Sequence, residues 1–172
     1  MHPFDSKKKT SAIAIHGNVT RRSDLLTIIY VLTGDLNQAR IPEPLALPTR
    51  KTRLWETTCF ELFIGATEFR HYWEVNLSPS GAWNIFRFSD YRKDMAEESA
   101  FTSLPLSLRR RPDSLEVALE LDVETILAAD QPLRAGIAAV IQLTGGGLTY
   151  WALTHPGPEP DFHRGDAFLV EL

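Results

Sequence analysis

Between Cys59 and Phe88 the chain alternates its side chains with a period of two, and this constrains the fold more tightly than any other feature of its 172 residues. Cys59 to Ile64 sets Phe60, Leu62 and Ile64 against Cys59, Glu61 and Phe63. His71 to Leu77 sets Trp73, Val75 and Leu77 against Tyr72, Glu74 and Asn76. An extended chain sends successive side chains to opposite faces, so each run predicts a strand with two distinct sides. Ser78-Pro79-Ser80-Gly81 follows, with Pro second and Gly fourth as a type I turn prefers, before Trp83 to Phe88 resumes the pattern. Three consecutive antiparallel strands result, and Leu54 to Arg92 holds three of the four tryptophans.

The flanking sequence extends the same architecture. Ser11 to Ile15, Leu25 to Leu32, Ser114 to Leu121, Ala135 to Leu143, Leu148 to Leu153 and Ala167 to Leu172 each read as a strand. In Ser114 to Leu121, Leu115, Val117, Leu119 and Leu121 share one face, and Ser114, Glu116, Ala118 and Glu120 share the other. Three prolines between Ile41 and Thr52 exclude a central strand there, because proline lacks the N–H a ladder needs. Asp122 is placed to cap a short helix over Val123 to Ala129, stopped before Pro132. About ten strands, frequent turns and one short helix predict a single-domain, all-β antiparallel sandwich over residues 11–172. A closed barrel stays open as an alternative, since alternation does not say whether a sheet closes. Residues 1–10 read as a polar leader.

Charge and composition narrow the partners. Eighteen Lys and Arg against 22 Asp and Glu give a net charge of −4, which argues against a nucleic-acid partner. Lys7-Lys8-Lys9 and Arg109-Arg110-Arg111 read as solvated ends or edge-strand protection. No window approaches the roughly 20 apolar residues of a membrane span, and MHPFDSKKKT lacks the apolar core of a signal peptide. With one cysteine, Cys59, and so no internal disulfide, a cytoplasmic location is expected.

Three segments carry a family resemblance: LWETTCFELFIG at 54–65, YWEVNLSPSGAWNIFRF at 72–88 and LTYWALTHPGPEPDFHRGDAFLVEL at 148–172. They resemble the DOMON-like domains and family 9 carbohydrate-binding modules. In that superfamily a tryptophan followed by polar residues leads into a strand of the form VEIFID, and a loop with another aromatic precedes the last strand. The resemblance implies a β-sandwich that binds sugars or, in some DOMON branches, haem. It puts Trp55 at the first ring of a sugar clamp and Phe162 or His163 near the second, with Glu56, Glu61, Asn76 and Arg164 as polar partners. A pyranose presents an apolar face of C–H groups to a ring, while its hydroxyls need planar polar groups around it. The chain departs from those relatives in having no tryptophan at the second ring and no match to their calcium-binding acids.

The expected function is therefore a non-catalytic module that binds a small ligand, a saccharide or sugar-like metabolite, with no cofactor. Two alternatives compete with it. A metal-binding module would draw on His155, Asp161 and His163, which share one loop but match no known metal-ligand spacing, and a haem-binding one on a histidine, Met1 or Met95 as axial ligand. A carbohydrate-active enzyme would draw on Glu56 and Glu61, an acid pair of the glycosidase kind. Those two glutamates differ by an odd number and would face opposite sides of a regular strand. Trp73, Trp83 and Trp151 lie inside strands and are expected in the core.

Overall fold

The computed structural model describes residues 1–4, 12–67, 70–128 and 130–172. In chain order the strands are β1 (His2–Pro3), β2 (Ile13–Arg22), β3 (Leu25–Gly34), β4 (Thr49–Arg50), β5 (Cys59–Ala66), β6 (Tyr72–Leu77) and β7 (Ala82–Phe88). They continue as β8 (Ala96–Glu97), β9 (Leu106–Arg110), β10 (Ser114–Asp122), β11 (Leu133–Gln142), β12 (Leu148–Ala152) and β13 (Val170–Glu171). The larger sheet runs β1-β12-β11-β5-β6-β7-β4, with β13 beside β11 and β8 beside β7. The smaller runs β2-β3-β10-β9. The two sheets make the sandwich expected from the alternation, and its pairings are antiparallel except for β4 on β7.

The core lies where the in-phase residues of the two sheets meet. Phe60, Leu62 and Ile64 of β5, Val75 and Leu77 of β6, and Ile137, Ala139 and Ile141 of β11 face Leu26, Ile28, Tyr30 and Leu32 of β3. On β10, Leu115, Val117, Leu119 and Leu121 are buried at 2%, 0%, 1% and 1% exposure, as the sequence predicts. Trp73, Trp83 and Trp151 belong to this core. Arg109 and Arg110 of the basic run fall on β9, an edge strand of the smaller sheet, where charge discourages pairing with another chain. The β6–β7 turn closes with Gly81 N–H donating to Ser78 O at 3.0 Å and Ser78 N–H to Ala82 O at 2.8 Å. Gly81 sits at φ +89°, a left-handed position in a three-residue loop that a side chain would strain.

Three expectations change. No α-helix forms near 123–129 among the described residues: Asp122 Oδ1 does accept from Glu124 N–H at 3.0 Å, but the chain makes only one turn, with Leu127 N–H donating to Val123 O at 2.9 Å. The cap works and the segment before Pro132 is too short to propagate a helix. Residue 129 lies outside the described residues. The last strand shrinks to Val170–Glu171, because Gly165–Ala167 forms a 3₁₀ turn instead. Of the expected polar leader, His2–Pro3 pairs with Trp151 and Ala152, while residues 5–11, including Ser11 of the first predicted strand, lie outside the described part.

The larger sheet is buried on both faces, and this positions the site. Phe63, Tyr72, Phe86, Phe88, Ala138 and Val140 point away from the core, and Phe162, Ala167 and Phe168 from the 153–169 segment pack over them. Gly136 makes this cover possible, since a Cβ there would stand 3.0 Å from Phe168 Cδ1 and 3.2 Å from Ala167 O.

Candidate functional site

Where the covering segment stops short, a cleft of about 510 Å³ opens on the outer face of the larger sheet. Trp55, Phe88, Tyr150 and Phe162 line it together with Glu56, Glu61, Glu74, Arg92 and His163. Five of the seven expected site residues, Trp55, Glu56, Glu61, Phe162 and His163, are thus brought to one place. The cleft lies on a sheet face rather than among loops at the end of the sandwich. Its sheet floor follows from phase alone: Glu61 on β5, Glu74 on β6 and Phe88 on β7 all belong to the side turned from the core.

Trp55 reaches the cleft because the chain is not extended there. Arg53 takes a left-handed φ of 59°, and Leu54–Glu56 forms a 3₁₀ turn closed by Thr57 N–H donating to Leu54 O at 3.1 Å. This turn breaks the strand phase and brings Glu56 and Glu61 to the same cleft, where regular alternation would have separated them. The Trp55 ring meets Phe86 edge-on at 5.7 Å and is half-buried. Glu56 is held at the mouth by Arg53 Nε, which donates to Glu56 Oε1 at 2.8 Å.

The floor is acidic and dry. Glu61 is 3% exposed and Glu74 4%. Burial, and next the nearby Glu74 charge, push the Glu61 carboxyl well above the usual carboxylate range. Burial likewise lifts Glu74 to about 7, opposed by the hydrogen bond from Asn76 and by the Arg92 charge. Asn76 Nδ2 donates to Glu74 Oε1 at 2.8 Å, so Asn76 braces the floor from beside it on the same face of β6 and does not line the cleft. Glu61 Oε1 is buried and has no hydrogen-bond partner among the described residues.

His163 forms the wall. Its Nδ1 lies 2.8 Å from Tyr72 Oη, which accepts from Arg92 N–H at 3.1 Å, and its Nε2 faces Glu74 Oε2 at 3.7 Å. Burial holds the imidazole down at about 4, with the Arg92 charge the second cause. Arg92 Nη2 donates to Asp161 Oδ1 at 2.9 Å, and Tyr91 Oη donates to Asp161 Oδ2 at 2.5 Å. These bonds tie the segment after β7 to the covering segment. Arg92 is itself left-handed at φ 53°, a strained conformation for a residue bordering a cleft.

Arg164 stays outside, because its Nε and Nη2 donate to Asp166 Oδ1 and Oδ2 at 2.9 and 2.6 Å, two residues away. Nor do His155, Asp161 and His163 converge as metal ligands: His155 Nε2 lies 3.0 Å from His2 O, while Asp161 serves Tyr91 and Arg92. Among the described residues no group of three or more His, Cys, Asp and Glu is placed to hold a metal ion. Glu74 was legible by strand phase, since it shares a face of β6 with Asn76, and Tyr150 by lying on the face of β12 opposite Trp151. Arg92 carried no signal, lying in an irregular charged stretch.

The fold and cleft define a class: an antiparallel β-sandwich with an aromatic-walled, acid-floored cleft on the outer face of its larger sheet. A solved structure of a candidate carbohydrate-binding protein from Bacteroides uniformis ATCC 8492 shares the fold at TM-score 0.67 and 14% identity, over 96% of this chain and 82% of that one. A family 9 carbohydrate-binding module from Caldicellulosiruptor kristjanssonii, solved with glucose, aligns at TM-score 0.47 and 9% identity, over 83% and 68% of the two chains. No protein-family model matches the chain, and no curated protein gives a significant match.

Proposed function

We propose that the protein is a non-catalytic, DOMON-like module that binds a saccharide in the cleft bounded by Trp55 and Phe162. The observation that carries this reading is that both rings, from segments more than a hundred residues apart, line one cleft over a polar floor. Rings take the C–H face of a pyranose, and the carboxyls, Arg92 and His163 offer partners to its hydroxyls. A cleft of about 510 Å³ falls within the usual small-ligand range of roughly 300–1,000 Å³. The fold shared with the Bacteroides uniformis protein agrees with this reading. The test is a saccharide screen by NMR: binding that shifts the indole signal of Trp55 supports it, and a screen in which no sugar perturbs the cleft overturns it.

A carbohydrate-active enzyme is the second reading, favoured by one observation. Glu61 and Glu74 sit diagonally across β5 and β6, and their raised proton affinities suit the general acid of such a pair. Turnover of an aryl-glycoside panel that is lost in Glu74→Gln would replace the binding reading with this one.

A further inference from the structure

The floor of the cleft holds two carboxyls that no cationic side chain among the described residues pairs. Of the charged side chains lining it, Glu56 is paired with Arg53 and Arg92 with Asp161. Glu61 and Glu74 remain, both more than nine-tenths buried and neither paired with a Lys or Arg among the described residues. Glu61 Oε1 belongs to a cleft-lining residue and is a buried acceptor without a donor among the described residues, a costly arrangement that an incoming donor would relieve. The groups facing the pair are Tyr30 from β3, Cys59 from β5, Tyr72 and Asn76 from β6, Arg92 from the segment after β7 and His163 from the covering segment. Of these only Arg92 is cationic near neutral pH, and it is already engaged; His163 stays neutral there. Aromatic rings around a desolvated acid favour a cation in the same space.

From this geometry we infer that Glu61 and Glu74 form a seat for a ligand ammonium group, which makes amino sugars with a free amine the preferred saccharides of the site. The inference rests on the saccharide reading for its ligand class and on Glu61 Oε1 for its position. The seat has a consequence in protons. Near pH 6 the pair retains a proton, because Glu74 titrates at about 7 and Glu61 is raised as well. An arriving ammonium replaces that positive charge, and the proton leaves to the buffer.

The experiment is calorimetry at about pH 6 in two buffers of different ionisation enthalpy. Glucosamine, galactosamine and mannosamine are titrated beside their hydroxyl and N-acetyl counterparts, with cyclohexylamine as a ring amine lacking hydroxyls. The expected result is that one hexosamine binds about tenfold or more tighter than both its neutral counterparts, with proton release. Glu61→Gln and Glu74→Gln should each collapse that preference. Neutral sugars binding as tightly as the amine, or binding without proton release, would overturn the ammonium seat and leave the saccharide reading standing. Cyclohexylamine binding while every sugar fails would overturn the saccharide reading and keep the seat. No binding by any of these ligands would overturn both.

Discussion

Tyr72 Oη and His163 Nδ1 lie 2.8 Å apart although 91 residues separate them, and this contact fastens the covering segment to the sheet it shields. The hydroxyl also accepts from Arg92 N–H at 3.1 Å, so one atom joins a strand, the segment after β7 and the covering loop. Tyr72→Phe removes that atom and leaves two polar groups without a partner. The expected cost is about 1 to 3 kcal/mol in a denaturant melt. An unchanged midpoint would show that the junction carries no stability.

The pH profile follows from two opposed shifts. Glu74, at about 7 in the folded protein against an ordinary 4.5, contributes stability that is complete below about 4.5 and lost as pH rises through 7. His163, at about 4 against an ordinary 6.5, contributes stability that is complete above about 6.5 and lost as pH falls through 4. The two slopes oppose each other between about 4.5 and 6.5, flattening their combined effect there. Glu74→Gln removes only the first. Its stability relative to the original protein should therefore rise by about 3 kcal/mol from pH 4 to pH 8, the free-energy equivalent of the shift. Parallel profiles for the two proteins would contradict the buried acid.

Leu119 on β10 tests the sandwich itself. It is 1% exposed in the face that β10 turns to the core, and its truncation leaves a cavity between the two sheets. Leu119→Ala should cost about 2 to 5 kcal/mol in a denaturant melt. A loss under about half a kcal/mol would mean that this face is not packed.

Much of this was legible from side-chain period. The phases of β5, β6 and β10 came out as read, and the phase of β5 put Glu61 opposite its core residues. The burial of both faces of the larger sheet was not legible, because its cover is an irregular segment, 153–169, rich in Pro and Gly and without period. The convergence of Glu56 with Glu61 depended on Arg53 turning left-handed, which its residue type does not announce. Arg164 was misplaced because a carboxylate two residues away satisfies it locally.

The central claim, that a saccharide lies against Trp55, is tested most directly by titrating the sugars that bind the original protein into Trp55→Ala. The ring is half-buried and contributes one edge-on contact to Phe86, so its removal should change stability by only about 1 kcal/mol. Losing the stacking face should instead weaken binding by about tenfold or more. Affinity that is unchanged in a folded Trp55→Ala protein would show that the sugar does not rest on this ring and would contradict the account.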